Sequence, residues 1–218
     1  MFKNQYYLRN FIFFPFLFLL MVVSDPHLAQ PRYSHLKGIL ERNVKKGESL
    51  KKIGEFSRAI KVYKEAVRIA RRSREYSAEV NSLIKVGVIS WNLGKMDDSY
   101  DWLNKALHLA REHGFKREIQ ECLDFLRVHR LYKEGKSYRN KYMYKESIEK
   151  FREAIGIARK IGSKEHELKC LRQLGVSYYR NTDLDKFYEM SQRALAISRV
   201  LNHKLEEGRC LNNIGLYY

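Results

Sequence analysis

The three cysteines are the first candidates for metal binding or disulfide chemistry, and each begins a Cys-Leu pair. They are Cys122, Cys170 and Cys210, and Ser82 begins the matching pair earlier in the chain. No Cys-x-x-Cys or His-x-x-x-His spacing occurs, so metal ligation is not indicated. We interpret the cysteines as small, packed helical residues. The alternative is that one odd thiol pairs between two chains.

A short Glu-Gly-Lys-Ser stretch, residues 134–137, has the ending of a phosphate-binding loop. Such a loop needs another glycine five residues before Gly135, and this chain has Arg130 there. Gly135 also belongs to a recurring glycine position described below. The sequence therefore does not predict a nucleotide site.

The remaining candidates for catalysis are histidines and acidic pairs. The chain has seven histidines and no His-Glu-x-x-His motif, and we expect His166 in "KEHELK" at the surface. Asp97-Asp98 and Glu206-Glu207 stand next to predicted helix starts, where carboxylates complement the helix dipole. The sequence therefore predicts no enzyme activity, no metal and no cofactor in this chain.

Composition indicates a mostly helical protein with a basic surface. Only 3 Pro and 12 Gly interrupt 218 residues, and strand-type alternation of apolar and polar residues is absent. Lys and Arg total 42 against 25 Asp and Glu, a net charge of +17. This excess favours an acidic peptide, nucleic acid or an anionic membrane as partner. The alternative is a solvated surface that only keeps the protein soluble.

Two small residues recur in step along the chain and define an internal repeat. Glycines lie 40, 48, 40 and 40 residues apart, and alanines follow four of them after 19 residues. Such self-similarity is the signature of repeat architectures. The positions are Gly47, Gly87, Gly135, Gly175 and Gly215, with Ala66, Ala106, Ala154 and Ala194.

Each unit is predicted to be a pair of helices. Leu171, Leu174 and Tyr178 show the spacing of three and four that marks one helical face. Breaks are expected at Gly54, Gly94 and 181–182, and second helices should end near Arg74, Gly114, Gly162 and Asn202. The third unit has eight extra residues around 124–131, which lengthen its first helix by a little over two turns. The predicted units are 40–74, 80–114, 128–162 and 168–202, with an incomplete fifth at 208–218, in an array over 35–218 after a linker at 25–34.

This pattern resembles the tetratricopeptide repeat family, in which a small residue of the first helix and an alanine of the second allow close antiparallel contact. The residues that carry the resemblance are Leu83, Gly87, Ser99, Leu103 and Ala106, then Leu131, Gly135, Tyr138, Phe151 and Ala154, then Leu171, Gly175, Tyr178 and Ala194. It implies an all-α fold, a right-handed α-solenoid of antiparallel helix hairpins. The period of 40 exceeds the usual ~34 residues, so each helix should be nearly a turn longer.

The resemblance also implies a function, since first helices of this family line a concave groove that binds a protein or peptide. We expect a basic groove that holds an extended, acidic peptide, because Lys and Arg attract carboxylates and Asn can bond a peptide backbone. "LNN" near the end of the chain is similar to the asparagine pairs of kinesin light chain repeats. The groove-side residues are Asn81, Lys85, Asn92, Lys133, Lys136, Asn140, Lys169, Arg172, Arg180, Arg209, Asn212 and Asn213.

The first 24 residues predict export. Lys3 and Arg9 precede an apolar run at 11–23, the form of a signal peptide, and that run is shorter than the ~20 residues that span a bilayer. The alternative is an uncleaved anchor formed by residues 6–23, the one route by which we expect membrane contact. Nucleic acid is not expected, because export argues against it and the basic residues do not alternate with aromatics.

The last unit stops inside its first helix. Leu211, Ile214 and Tyr218 would present an apolar edge, whereas terminal repeats usually have a polar cap. We expect an incomplete record of a longer protein. One alternative is dimerisation through this edge. Another is that the array is the regulatory half of an enzyme, for example one with a caspase-like protease domain of the CHAT type.

Overall fold

The structure, a computed structural model, describes residues 26–218, and this part of the chain is nine α-helices joined by tight turns. The predictions for residues 1–24 and 6–23 lie outside the described residues. The helices are α1 (Pro26–Lys52), α2 (Phe56–Arg72), α3 (Tyr76–Asn92), α4 (Met96–Glu112), α5 (Lys116–Asn140), α6 (Tyr144–Lys160), α7 (Lys164–Arg180), α8 (Leu184–Val200) and α9 (Lys204–Gly215).

The linker predicted at residues 25–34 is wrong from residue 26 onward, because α1 already begins at Pro26. Proline suits the first position of a helix, where its missing N–H is not needed.

Every connection between consecutive helices contains one residue with positive φ. Glycine takes this role at four turns, and four other turns place a larger residue in this conformation, at Arg74, Tyr142, Thr182 and Asn202. These residues include the predicted breaks and the predicted ends of all four second helices. At each of these turns, backbone N–H groups donate to carbonyls of the last turn of the preceding helix, as Gly94 N–H does to Trp91 O at 2.9 Å.

The recurring glycines let the two helices of a hairpin approach closely. A Cβ on Gly135 would lie 2.9 Å from the Phe151 ring, and one on Gly87 would lie 2.9 Å from Leu103. The carbonyl of Gly135 also accepts a hydrogen bond from the Ser147 hydroxyl at 2.8 Å. Gly175 differs, because a Cβ there would meet its nearest neighbour, Met190, at an ordinary 3.5 Å.

An arginine–glutamate pair fastens three of the four corners at which one hairpin leads to the next. Arg71 bonds Glu79 at 2.7 Å, Arg159 bonds Glu167 at 2.7 Å, and Arg199 bonds Glu207 at 3.1 Å. At the corner between α4 and α5 the residue in the glutamate position is Ile119. The contact of α4 with α5 is also the least extensive between consecutive helices of the described chain.

The α5 helix is the irregular element of the array. It has 25 residues, eight more than α3 or α7, which confirms the predicted lengthening. In antiparallel contact, α4 can cover only the first two thirds of α5, and α6 covers the last two thirds. The hairpin of α5 and α6 is therefore displaced from that of α3 and α4 by about 12 Å along α5.

The first helices of successive units also meet one another, and the array curls until its beginning touches its end. Helix α3 contacts α7 directly, and both contact α5. Lys51 at the end of α1 bonds Glu165 at 2.6 Å, and the Asn202 side-chain amide donates to the Lys52 carbonyl at 3.4 Å. We call the region where α3, α5 and α7 meet the inner seam; it occupies the face that the family resemblance predicted to be an open groove.

Candidate functional site

An open groove of about 1010 Å³ runs along α5 and the first turn of α4. One face of α5 lines it from Gln120 to Asn140, and Met96, Asp97 and Tyr100 supply the facing wall. Residues 120–140 span about 30 Å at 1.5 Å per residue. We call this feature the α5 groove, and it lies where the displaced hairpin leaves α5 uncovered.

The floor of the α5 groove is apolar and partly open to solvent. Tyr100 is 52% exposed and Leu123 is 37% exposed, so both present apolar surface to solvent. Leu126 and Tyr132 continue the floor toward the centre of the molecule. The floor can therefore take apolar side chains from a bound segment.

The rim of the α5 groove is basic, formed by Arg127, Arg130, Lys133 and Lys136 at successive helical turns. The sequence predicted Lys133, Lys136 and Asn140 as binding residues, and the structure brings all three to this groove. Whether they bind a partner stays a prediction.

The rim cations differ in how far their charge is already neutralised. Arg127 bonds Glu153 at 2.6 Å, and Arg130 approaches Glu134 at 3.9 Å. Lys136 lies 6.0 Å from the centre of the Tyr132 ring. Lys133 makes no ion pair or hydrogen bond within residues 26–218 and is the rim charge most available to a carboxylate.

Two groove carboxylates oppose this charge only weakly. Asp124 is nearly buried and accepts from Gln120 at 3.2 Å, with the Lys160 ammonium at 3.5 Å. Asp97 stands in the first turn of α4, where a carboxylate complements the helix dipole. The groove as a whole is positively charged.

The inner seam holds two other predicted binding residues in a form that no peptide can reach. Asn92 is 2% exposed and Lys169 is 5% exposed, so their prediction as open groove residues is wrong. The Lys169 ammonium donates to the Trp91 carbonyl, and the amide of Asn92 has no partner among the described residues. Burial lowers the pKa of Lys169 to about 8, despite the attraction of Glu206. The physical reason is the curl, which presses α7 against α3.

His166 is also buried, against the expectation of a surface residue. Its Nε2 lies 3.3 Å from Nε2 of His129, and its Nδ1 lies 2.8 Å from the Ser163 hydroxyl. The residues next to His166 in the sequence are charged, which suggested that His166 is exposed. Helix α7 nevertheless contacts α3, α5 and α6. Its polar side chains can be buried there because they form hydrogen bonds and ion pairs inside the array.

A smaller cavity of about 490 Å³ lies between α7 and α9. Glu206, fully buried beneath it, bonds Arg172 at 2.7 Å and Arg209 at 2.6 Å. Burial alone would raise the pKa of Glu206, but Arg172, Lys169 and Arg209 together lower it. Four predicted residues line this cavity, namely Arg172, Arg209, Asn212 and Asn213. The two arginines are engaged by Glu206 and are therefore less free to bind a ligand.

The last three predicted residues lie apart from both cavities. Asn81 donates to the Ser77 carbonyl at 2.9 Å within its own helix, and Lys85 bonds Glu48 at 3.0 Å. Arg180 is exposed at the end of α7. The structure therefore does not unite the twelve predicted residues in one surface.

Sequence reasoning missed Tyr100, Leu123 and Arg127, because it searched for binding residues at equivalent positions of regular repeats. Tyr100 belongs to a second helix, and Arg127 belongs to the extra residues of α5, which Leu123 directly precedes. The signal that could have found them is the insertion itself, since an irregular unit cannot cover its neighbours fully.

The cysteines are free and buried, as packed helical residues should be. Residues 26–218 contain no group of three or more side chains suited to hold a metal ion. No helix in this same region combines the length and apolar character needed to cross a bilayer.

Comparison with protein families finds a tetratricopeptide repeat at residues 40–73. Among solved structures, BtubC (BKLC) from P. vanneervenii is similar at 19% identity and a TM-score of 0.40, over 88% of this chain and 76% of that one. The nearly identical TPR-like repeats of a kinesin light chain from Podosopora anserina are similar at 14% identity and a TM-score of 0.38, over 85% and 86% of the two chains. Comparison with curated proteins finds no match.

Residues 40–73 therefore match a tetratricopeptide repeat, and the described chain is an array in which this kind of helix hairpin recurs along α1–α9. Arrays of this type generally act as scaffolds that bind proteins or peptides on an extended surface.

Proposed function

We propose that this protein binds an extended, acidic segment of a partner protein in the α5 groove. The observation that carries the proposal is the combination of an exposed apolar floor with a row of cations on one helix. Apolar contact can anchor such a segment, and the cations select for carboxylates. The alternative of a regulatory array attached to a catalytic domain stays a prediction.

The size of the groove sets the length of the segment. An extended chain advances about 3.3 Å per residue, so a groove of about 30 Å takes about nine residues. Glutamates should face the rim at Arg130, Lys133 and Lys136, and an apolar side chain between them should contact Tyr100 and Leu123. A peptide with the same apolar residue and glutamine for glutamate should bind more weakly.

The experiment measures fluorescence anisotropy of a labelled nine-residue peptide that has glutamates around a central leucine. We expect the charge reversal Lys133→Glu with Lys136→Glu to weaken binding by about tenfold or more, because two attractions become repulsions. Affinity of the unchanged protein should also fall as salt rises, since the rim is solvent-exposed.

The matched control reverses two exposed lysines that do not line the groove, Lys61→Glu with Lys145→Glu. It changes the net charge equally and should alter affinity by only about twofold. Equal loss in both variants would mean that net charge alone attracts the peptide. No binding by the unchanged protein at low salt would contradict the proposed function.

A further inference from the structure

The inner seam contains a buried pair of imidazoles in direct contact. Nε2 of His129 on α5 and Nε2 of His166 on α7 lie 3.3 Å apart. In neutral rings one of these atoms can donate a hydrogen and the other can accept it. Protonation of both rings would place two N–H groups face to face, which removes the hydrogen bond and adds charge repulsion.

Trp91 joins the same pair to α3. Its ring stacks on His129 at 4.4 Å and on His166 at 4.5 Å between ring centres. The ring nitrogen of Trp91 and Nδ1 of His129 have no hydrogen-bond partner among the described residues. Stacked, uncharged rings are therefore part of the contact between the three first helices.

The charged groups around the pair oppose its protonation. Lys169 on α7 and Lys51 on α1 are the nearest cations, and Lys51 is held by Glu165. From α4 the Ser99 hydroxyl lies 3.4 Å from Nε2 of His129, and from α3 the Trp91 ring stacks on the pair. Neither imidazole has a carboxylate partner in the part of the chain that the structure describes. The nearby carboxylate of Glu206 interacts with Lys169 and His203.

Burial lowers the pKa of His129 to about 3, with Lys169 as the lesser cause. Burial likewise lowers the pKa of His166 well below its usual value, followed by the effects of His129, Lys169 and Lys51. A histidine whose pKa is lowered by a contact stabilises that contact fully above pH 6.5. The stabilisation is lost as the pH falls from 6.5 toward the lowered value.

The inner seam has other contacts, both polar and apolar. Arg139 on α5 donates to the carbonyl and side chain of Gln173 on α7 at 3.3 Å and 2.8 Å, and Trp91 shares one apolar cluster with residues of α5 and α7. The curl adds Lys51 with Glu165, Asn202 with the Lys52 carbonyl, His203 Nε2 at 3.4 Å from the Asn92 carbonyl, and the ring of Phe56 at 4.9 Å from that of His203. Each hairpin also has apolar contacts between its own two helices. Opening of the seam therefore breaks contacts between hairpins, including apolar ones, and leaves the contacts within each hairpin in place.

The seam and the α5 groove share residues. His129 lines the groove while it contacts His166, and Tyr132 of the groove floor packs edge-on against Trp91 at 4.8 Å. A change in the seam must therefore displace part of the groove floor.

We propose that the His129–His166 pair is a pH-sensitive latch that holds the inner seam closed at neutral pH and releases it in mild acid, which also weakens the α5 groove. The effect on the groove rests on the proposed function, whereas the opening of the seam does not. If one imidazole regains its ordinary pKa of 6.5 when the seam opens, the equilibrium constant for opening is about 30-fold larger at pH 5 than at a pH where the imidazole stays neutral.

The test follows the fluorescence of Trp91 in a Trp102→Phe background, where it is the only tryptophan left. A charged imidazole next to an indole quenches its fluorescence. Between pH 7.5 and pH 5 we expect the emission to change and the radius of gyration from small-angle X-ray scattering to increase, while helix content by circular dichroism stays constant. Constant emission and radius would overturn the latch, and so would a loss of helix at the same pH.

Two substitutions assign the change to the pair. His166→Gln keeps a hydrogen-bonding side chain that does not titrate. Opening of the seam should then take up one proton fewer, so the ratio of open to closed form at pH 5 should be about 30-fold lower than in the unchanged protein. His129→Gln should do the same and serves if His166→Gln does not fold. The matched control, His108→Gln, changes a histidine that is 76% exposed and should leave the response intact. An unchanged response in both glutamine variants of the pair would overturn the latch.

Peptide affinity separates this inference from the proposed function. Tight binding of the acidic peptide at pH 7.5 and weaker binding at pH 5 supports both. Equal affinity at both pH values would refute the link from seam to groove while the proposed function stands. A seam that opens in a protein that never binds the peptide would leave the latch standing and the proposed function refuted.

Discussion

Asn92 and Asn140 occupy the same position of the repeat, one unit apart, and have opposite surroundings. Asn92 ends α3 in the inner seam, 2% exposed and with an amide that has no partner among the described residues. Asn140 ends α5, exposed at the edge of the α5 groove. The difference teaches that the repeat determines the hairpin, whereas the contact between hairpins determines which face remains open.

The cause of the difference is the length of α5. Its eight extra residues displace one hairpin along its neighbour, which uncovers a face of α5. The curl of the array then fills the inner face that a regular solenoid would leave concave. Under the proposed function, the binding surface lies on the irregular unit of the array and not on its regular part.

The largest contrast should appear between aromatic residues of the two regions. Trp91 is fully buried in the inner seam, so Trp91→Ala should lower the free energy of unfolding by about 3–5 kcal/mol through lost burial and a cavity. Tyr100 is half exposed in the groove, so Tyr100→Ala should change it by about 0.5 kcal/mol or less and weaken peptide binding instead. Chemical denaturation and peptide anisotropy measure the two quantities. Equal losses of stability would contradict the division into a structural seam and a binding groove.

Carboxylates give the next contrast. Glu206→Gln should cost about 3 kcal/mol, because Arg172 and Arg209 would lose a buried partner. The lowered pKa of Glu206 means that its stabilisation is present above pH 4.5 and is lost as the pH falls through the lowered value. Glu153 is exposed and pairs with the rim residue Arg127, so Glu153→Gln should cost about 1 kcal/mol or less. Urea denaturation at pH 7 and pH 4 checks both, and a variant Glu206→Gln as stable as the unchanged protein at pH 7 would refute the account of the buried pair.

Glycines allow a smaller contrast between α5 and α7. Gly135→Ala should lower stability by about 1–3 kcal/mol, because its Cβ would press on Phe151 and backbone contact would loosen. Gly175→Ala meets only ordinary contacts and should gain up to about 1 kcal/mol from helix propensity. Thermal unfolding of the two variants provides the measurement. The account fails here if Gly175→Ala is the more damaging of the two.

The smallest effect should come from the two asparagines themselves. Asn92→Leu should raise stability by about 1 kcal/mol, since the change removes a buried amide without partners. Asn140→Leu should leave stability almost unchanged and alter peptide affinity, because its amide faces the groove. Denaturant unfolding measures the stability of the two variants, and fluorescence anisotropy measures their peptide affinity. If Asn92→Leu weakens peptide binding and Asn140→Leu does not, the peptide binds the inner face and the account is contradicted.

The sequence predicted the hairpins well, because their determinants are local. Gly135, Ala154 and the positive-φ residue Gly162 each mark a contact or an end within about 30 residues of chain. Turn geometry and helical periodicity act at this range and recur in every unit. The all-α fold and the added length of α5 were therefore predicted correctly.

The binding surface was harder to predict, because it depends on contacts between distant units. Lys133 and Lys169 are chemically alike and were both expected in an open groove, yet one is exposed and the other is buried. The burial of Lys169 follows from its contact with Trp91, 78 residues earlier in the chain. No periodicity within a unit contains information about such a contact.

The central claim is that an acidic segment binds the α5 groove and not the inner face. Cross-linking tests it most directly, with the nine-residue glutamate peptide carrying a photoreactive group at its central apolar position. The account predicts saturable cross-links to residues 96–100 and 120–140, mapped by mass spectrometry and reduced by Lys133→Glu with Lys136→Glu. Saturable cross-links to α3, α7 or α9 in place of these would contradict it.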